Sequence, residues 1–108
     1  MDYPLVSVIC LCYNHEEFVE EAIESVLAQT YPNVELIVVD DASVDRSKQV
    51  IGTILKQHER VKFIDLKENH GNCAAFNIGF RQCQGKYVVD FATDDIMLNS
   101  RIAEQVQF

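Results

Sequence analysis

Leu5-Val6-Ser7-Val8-Ile9-Cys10-Leu11-Cys12 is apolar at every position but Ser7, and Tyr13-Asn14-His15-Glu16-Glu17 follows it directly. Eight residues without alternation read as a β-strand covered on both faces, the environment of a parallel sheet. The period then changes. Phe18, Val19, Ala22, Ile23, Val26 and Leu27 recur at helical spacing, while Glu20, Glu21 and Glu24 fall on the opposite side. Asn14 is the expected N-cap, with Glu16 and Glu17 in a first turn that favours anions. Pro32 disfavours a helical Tyr31, so the helix should stop before Tyr31-Pro32.

The same alternation repeats outward. Val34 to Asp40 reads as a second buried strand, and Ser43 or Asp45 as the cap of a helix with Val50, Ile51, Ile54 and Leu55 inside. Val61 to Leu66 reads as a third strand. A turn with Asn69 and Gly71 leads to a helix from about Cys73 to Cys83, closed by Gly85 as a C′ residue. Lys86 to Phe91 reads as a fourth strand, and a last helix opens near Asn99 or Ser100. The order βαβαβαβα with short links predicts an α/β, Rossmann-like, doubly wound and mainly parallel sheet. Its expected strand order is 3-2-1-4, with helices on both faces. The last helix is still amphipathic where it reaches Phe108, so the chain is expected to be the front part of a longer protein.

Composition narrows the function. The 108 residues carry 9 Lys and Arg against 17 Asp and Glu, a formal charge of −8, with no basic run. Sequence-independent binding to nucleic acid or to an anionic membrane draws on clustered cations, so neither partner is expected. No apolar stretch reaches the ~18 residues of a membrane span, and the start lacks a basic signal-peptide region. Cys10, Cys12, Cys73 and Cys83 have neither CxxC nor zinc-ligand spacing. They read as free thiols in a reducing, cytoplasmic setting, with Cys10 and Cys12 buried on one strand face. Membrane association through other regions is left open.

Ligands of a doubly wound sheet bind beyond the carboxyl ends of its strands. Here those ends deliver Tyr13, Asn14, His15 and Glu16 after the first strand. The second delivers Asp40, Asp41 and Ser43, and the fourth Thr93, Asp94 and Asp95. Carboxylates gathered on one edge repel one another, and a divalent cation with phosphate oxygens offsets that cost. Each group also has a plainer reading: Asp40 to Ser43 as turn and cap, Asp94-Asp95 as a solvated turn, Glu16 as a first-turn charge, and Tyr13 as a core aromatic. His15, His58 and His70 share no spacing and read as surface or cap residues. There is no G-x-G-x-x-G, no P-loop and no G-x-S-x-G elbow.

Four blocks together resemble a family 2 glycosyltransferase of the GT-A fold. They are Val6-Ser7-Val8-Ile9 with Tyr13-Asn14-His15-Glu16 and the run from Ala22-Ile23 to Tyr31-Pro32; Glu35 to Ser43 with Asp45; Asn69-His70-Gly71 with Ala75, Asn77, Gly79 and Gly85-Lys86-Tyr87; and Ala92-Thr93-Asp94-Asp95. The match spans nearly the whole chain but only about the first half of a family catalytic domain. The resemblance implies inverting transfer from a nucleoside diphosphate sugar, in the first instance UDP-linked, to a glycan or lipid-linked acceptor in polysaccharide or cell-envelope synthesis. It places Tyr13 against the base with Glu16 nearby, and Asp40 and Asp41 at the nucleotide. Asp94 would meet ribose or metal-bound phosphate, with Asp94 and Asp95 holding Mg²⁺ or Mn²⁺. The general base is expected beyond Phe108, leaving this piece inactive alone. Three departures stand out: Cys10-Leu11-Cys12 for Ile-Pro-Thr, Phe76 for an Arg, and Ala92 for the first acid of the DxD motif, although some members carry Thr-Asp-Asp there. Rival readings are a non-catalytic nucleotide-binding module of the same fold and a receiver-like signalling domain. The latter lacks its acid pair after strand one and has no fifth strand here.

Overall fold

A computed structural model of the chain describes residues 3–93, 97 and 100–106. The elements are β1 (Val6–Cys12), α1 (Val19–Leu27), β2 (Val34–Asp41), α2 (Ser47–Gln57), β3 (Lys62–Leu66), α3 (Asn72–Phe80), β4 (Tyr87–Ala92) and α4 (Arg101–Val106). They form a four-stranded sheet in the order β3-β2-β1-β4. All three pairings are parallel, with Val6 opposite Val34 and Tyr87, and Ile37 opposite Lys62. The expected strand order and direction are both present.

β1 is central and its side chains feed two cores. Val6, Val8, Cys10 and Cys12 join Leu36, Val38 and Phe91 beneath Val19, Ala22, Ile23 and Val26 of α1, Ile51 and Ile54 of α2, and Ile102 of α4. Ile9, Ile37 and Val39 face the other way, against Ala75 of α3, with Leu11, Ile64, Leu66 and Val88 around them. This is why the β1 run shows no polar alternation: both of its faces are covered. α3 seats deeply because Gly79 carries no side chain. A Cβ there would stand 2.9 Å from a methyl of Ile9 and 3.0 Å from one of Val39. Cys10 and Cys12 are buried free thiols, as expected, and loss of water pushes both thiols up. Among the described residues no helix is long and apolar enough to cross a membrane.

Three local expectations change. α1 begins at Val19, and Asn14 does not cap it; Asn14 takes φ 56° and its side-chain oxygen accepts the N–H of Val44, across the loop after β2. The acidic first turn is accordingly Glu20 and Glu21. Gly85 is not a C′ residue, because α3 ends at Phe80 and Gly85 lies against β1. A Cβ on Gly85 would meet Ser7 Oγ at 2.5 Å and Leu5 O at 2.8 Å, so close strand approach requires glycine there.

Candidate functional site

The strand exits are laced together by side chains that the preceding loops supply. Asn14 N–H donates to Ser43 Oγ (2.9 Å), His15 N–H to Ser47 Oγ (3.0 Å) and Glu16 N–H to Asp45 Oδ2 (3.1 Å). Asp45 Oδ1 also accepts the N–H of Ser47, the first residue of α2, in a turn just before the helix; the N-cap position itself is Arg46, so neither Ser43 nor Asp45 holds it as expected. Burial alone would raise the Asp45 carboxyl, but the Ser47 and Glu16 hydrogen bonds outweigh it and hold it below its ordinary value. The loops after β1 and β2 thus behave as one unit. Ala42, between Asp41 and Ser43, is held at φ 64°, a conformation costly for a residue with a Cβ.

Asp40 and Asp41 are neighbours with different duties. Asp40 is fully buried; Oδ1 accepts from Ser43 Oγ (2.6 Å), Oδ2 from Ser43 N–H (2.9 Å), and Lys48 Nζ stands 3.8 Å away. With no exposed surface, its side chain staples the turn that leads from Asp41 to Ser43. Asp41 Oδ1 accepts the N–H of His70 (2.7 Å) and Oδ2 that of Gly71 (2.9 Å). Those bonds use two of the roughly four acceptor positions a carboxylate has. They also aim the group at the start of α3, where the helix dipole favours an anion.

Asp41 lines a cavity of about 500 Å³ at the carboxyl ends of β1, β2 and β4. Tyr13, which is 43% exposed, His15, Asn72 and Asp90 line it too, over an apolar floor that includes Leu11 and Ala75. A second cavity of about 370 Å³ adjoins it through Asn72 and Asp90 and is bounded by Cys73, Phe76 and Asn77. Glu16 is exposed, is not among the residues that line the cavity, and is engaged through its backbone. Asp94 and Asp95 lie outside the described residues; Thr93, just before them, is fully buried and anchored to β1 through Leu11 O. No group of three metal-binding side chains occurs among the described residues. Among the described residues no Lys or Arg lines either cavity, in keeping with Phe76 in place of an arginine. A further cavity of about 480 Å³ lies by Leu27, Leu36 and residues 56–61, near the amino ends of the strands, away from the edge where such sheets bind ligands.

Among the described residues, the main cavity offers an aromatic face, two carboxylates and an amide, with no lysine or arginine to meet an anion directly. It suits a flat, hydrogen-bond-donating ring; a phosphate would need a metal ion beside it. Asp90 was not legible as a site residue, because it sits mid-strand; His15 and Thr93 were placed at the strand ends by the sequence, but His15 read as a surface or cap residue.

A family model described as glycosyl transferase family 2 matches residues 7–108. A Haemophilus influenzae protein named only as a glycosyltransferase is 39% identical over all 108 residues, which cover 43% of its length. A Bacillus subtilis glycosyltransferase named for teichuronic acid biosynthesis, TuaG, is 36% identical over 105 residues, covering 97% of this chain and 42% of its own. Among solved structures, a Pyrobaculum calidifontis mannosyltransferase in complex with GDP-Man and Mn²⁺ superposes with a TM-score of 0.83 at 28% identity, over 89% of this chain and 29% of that one. S. aureus TarS in complex with UDP-GlcNAc gives 0.84 at 27% identity, over 94% and 30%. The chain therefore spans less than half the length of these relatives.

Proposed function

Because the chain belongs to glycosyl transferase family 2, we propose that it forms the nucleotide-binding part of an inverting glycosyltransferase. The donor is a nucleoside diphosphate sugar of the uridine series, and the acceptor a hydroxyl of a cell-envelope glycan or its lipid-linked precursor. The observation that carries this reading is the cavity between Tyr13 and Asp41 at the carboxyl ends of the strands. The base lies on the Tyr13 ring and donates a hydrogen bond to the remaining acceptor capacity of Asp41. The teichuronic acid label of one relative and the UDP-GlcNAc bound to a structural neighbour support the donor and acceptor classes.

Two adjacent carboxylates, Asp94 and Asp95, are hard oxygen donors of the kind that suits Mg²⁺ or Mn²⁺. Bound there, such an ion would neutralise the charge that develops on a departing diphosphate. The fit matters because, among the described residues, no lysine or arginine lines the cavity. The acceptor hydroxyl attacks the anomeric carbon opposite the diphosphate and yields its proton to a carboxylate base. None of the described residues is assigned that role. A second reading, a binding module without turnover, is favoured by Ala92 and Phe76, which stand where the resemblance leads one to expect an acid and an arginine.

Calorimetric titration of UDP into the protein, with and without Mn²⁺, tests the proposal. Tyr13→Ala should weaken binding roughly tenfold in both conditions, the size of one base–aromatic stack. Asp41→Ala should also weaken both, while Asp94→Asn and Asp95→Asn remove only the gain given by Mn²⁺. Affinity that none of the four changes alters would overturn the reading; binding without sugar transfer would favour the module.

A further inference from the structure

The strand exits converge on one side chain, His15. Its backbone N–H is bonded to Ser47 Oγ at the start of α2. Its ring Nδ1 stands 2.8 Å from Thr93 Oγ1, at the end of β4. Thr93 in turn is tied to β1, with both its backbone N–H (3.0 Å) and its hydroxyl (3.2 Å) directed at Leu11 O. The His15 ring and Leu11 O thus hold the Thr93 hydroxyl between them, the ring at the shorter distance. Thr93 has no exposed surface, so its position is set by these bonds and by packing.

The sequence on either side gives this contact its meaning. Tyr13 lies two residues before His15, and Asp94 follows Thr93 directly. The bond thus links the part of the cavity that faces a nucleoside to the point where the chain leaves β4 toward the carboxylate pair. We infer that His15 is a positioning residue: acting through Thr93, it sets the diphosphate-facing side of the cavity relative to Tyr13 and Asp41. This rests on the nucleotide-binding reading above.

The test compares affinities for UDP and for uridine, which lacks the diphosphate, in the unmodified protein and in His15→Ala, His15→Asn, Thr93→Val and the double variant His15→Ala/Thr93→Val. His15→Ala and Thr93→Val should each weaken UDP on the order of fivefold, about one net hydrogen bond, and uridine by less than about twofold. The double variant should bind UDP no more weakly than either single one, because both remove the same link. His15→Asn, whose side-chain amide can donate or accept a hydrogen bond near the position of Nδ1, should recover most of the affinity. Equal losses for UDP and uridine would mark a merely structural role and overturn the inference, as would losses that add in the double variant. Thr93→Val keeps the side-chain shape and carries the test if His15→Ala fails to fold. If the unmodified protein binds neither ligand, the nucleotide-binding reading falls and this inference with it. If it binds both, and the folded variants match it, only the role of His15 is lost.

Discussion

At the amino-terminal end of the sheet, Glu35 accepts hydrogen bonds from Ser7 Oγ (2.6 Å) and the N–H of Gln84 (3.0 Å), and Lys62 Nζ closes on it at 2.5 Å. At the carboxyl-terminal end, Asp41 accepts two backbone N–H groups from the turn before α3, with the His70 ring 3.8 Å away. Both carboxylates are nearly buried, and both join segments distant in sequence. They differ in what completes them. Glu35 has a lysine of its own, so its charge is spent inside the fold. Asp41 borders an open cavity and, among the described residues, no lysine or arginine lines that cavity. A buried carboxylate with its own cation is a staple, whereas one held by neutral N–H groups beside a cavity keeps capacity for a ligand.

The largest expected effect breaks the staple and spares the site. In Gly85→Ala the new Cβ would face Ser7 Oγ at 2.5 Å and Ser7 N at 2.7 Å, both on the strand that carries the network. Urea unfolding should show a loss of about 3 kcal/mol, the upper range of overpacking costs. UDP affinity of the folded fraction should be unchanged.

A smaller effect comes from acid. Burial alone would raise the Glu35 carboxyl, but the bonds from Lys62, Ser7 and Gln84 outweigh it and hold it below its ordinary value. The folded state therefore favours the charged form. Its contribution is complete above the ordinary carboxylate range and is lost as pH falls through the lowered folded value. Thermal midpoints measured through the acidic range should fall less steeply in Glu35→Gln than in the unmodified protein. Some slope should persist, since Asp45 and Asp65 are also held low.

The smallest effect is at the other end. Ala42→Gly relieves a left-handed backbone at φ 64° and should stabilise by about 0.5–1 kcal/mol, offset in part by the flexibility glycine adds to the unfolded chain. UDP affinity should stay the same if the loop between Asp41 and Ser43 is already in its binding geometry.

The sheet was legible in the sequence because burial on both faces leaves an unbroken apolar run, as in Leu5 to Cys12 and Leu36 to Val39. The ends of the strands were legible as a site because the sheet's topology says where to look. What escaped was set by tertiary contact. Asn14 has the composition of a helix cap, yet its side chain bonds across to Val44, a partner 30 residues away. Gly85 follows a helix as a C′ glycine would, but it is needed for the approach of Ser7, 78 residues earlier. Asp40 and Asp41 are the same residue type side by side, and only coordinates separate the one turned into the Ser43 turn from the one that borders the cavity. His15 lay at a strand end but read as a surface or cap residue, because its partner, Thr93, is 78 residues on.

On the proposed reading, the two ends of the sheet divide the work, one holding the fold and the other binding a nucleotide. Amide chemical-shift mapping during titration with UDP and Mg²⁺ tests it most directly. Shifts should concentrate at Tyr13, His15, Asp41, His70, Gly71 and Asn72, with Ser7, Glu35, Lys62 and Gln84 unmoved. Shifts centred instead on the amino-terminal end, by Leu27, Leu36 and residues 56–61, would contradict it.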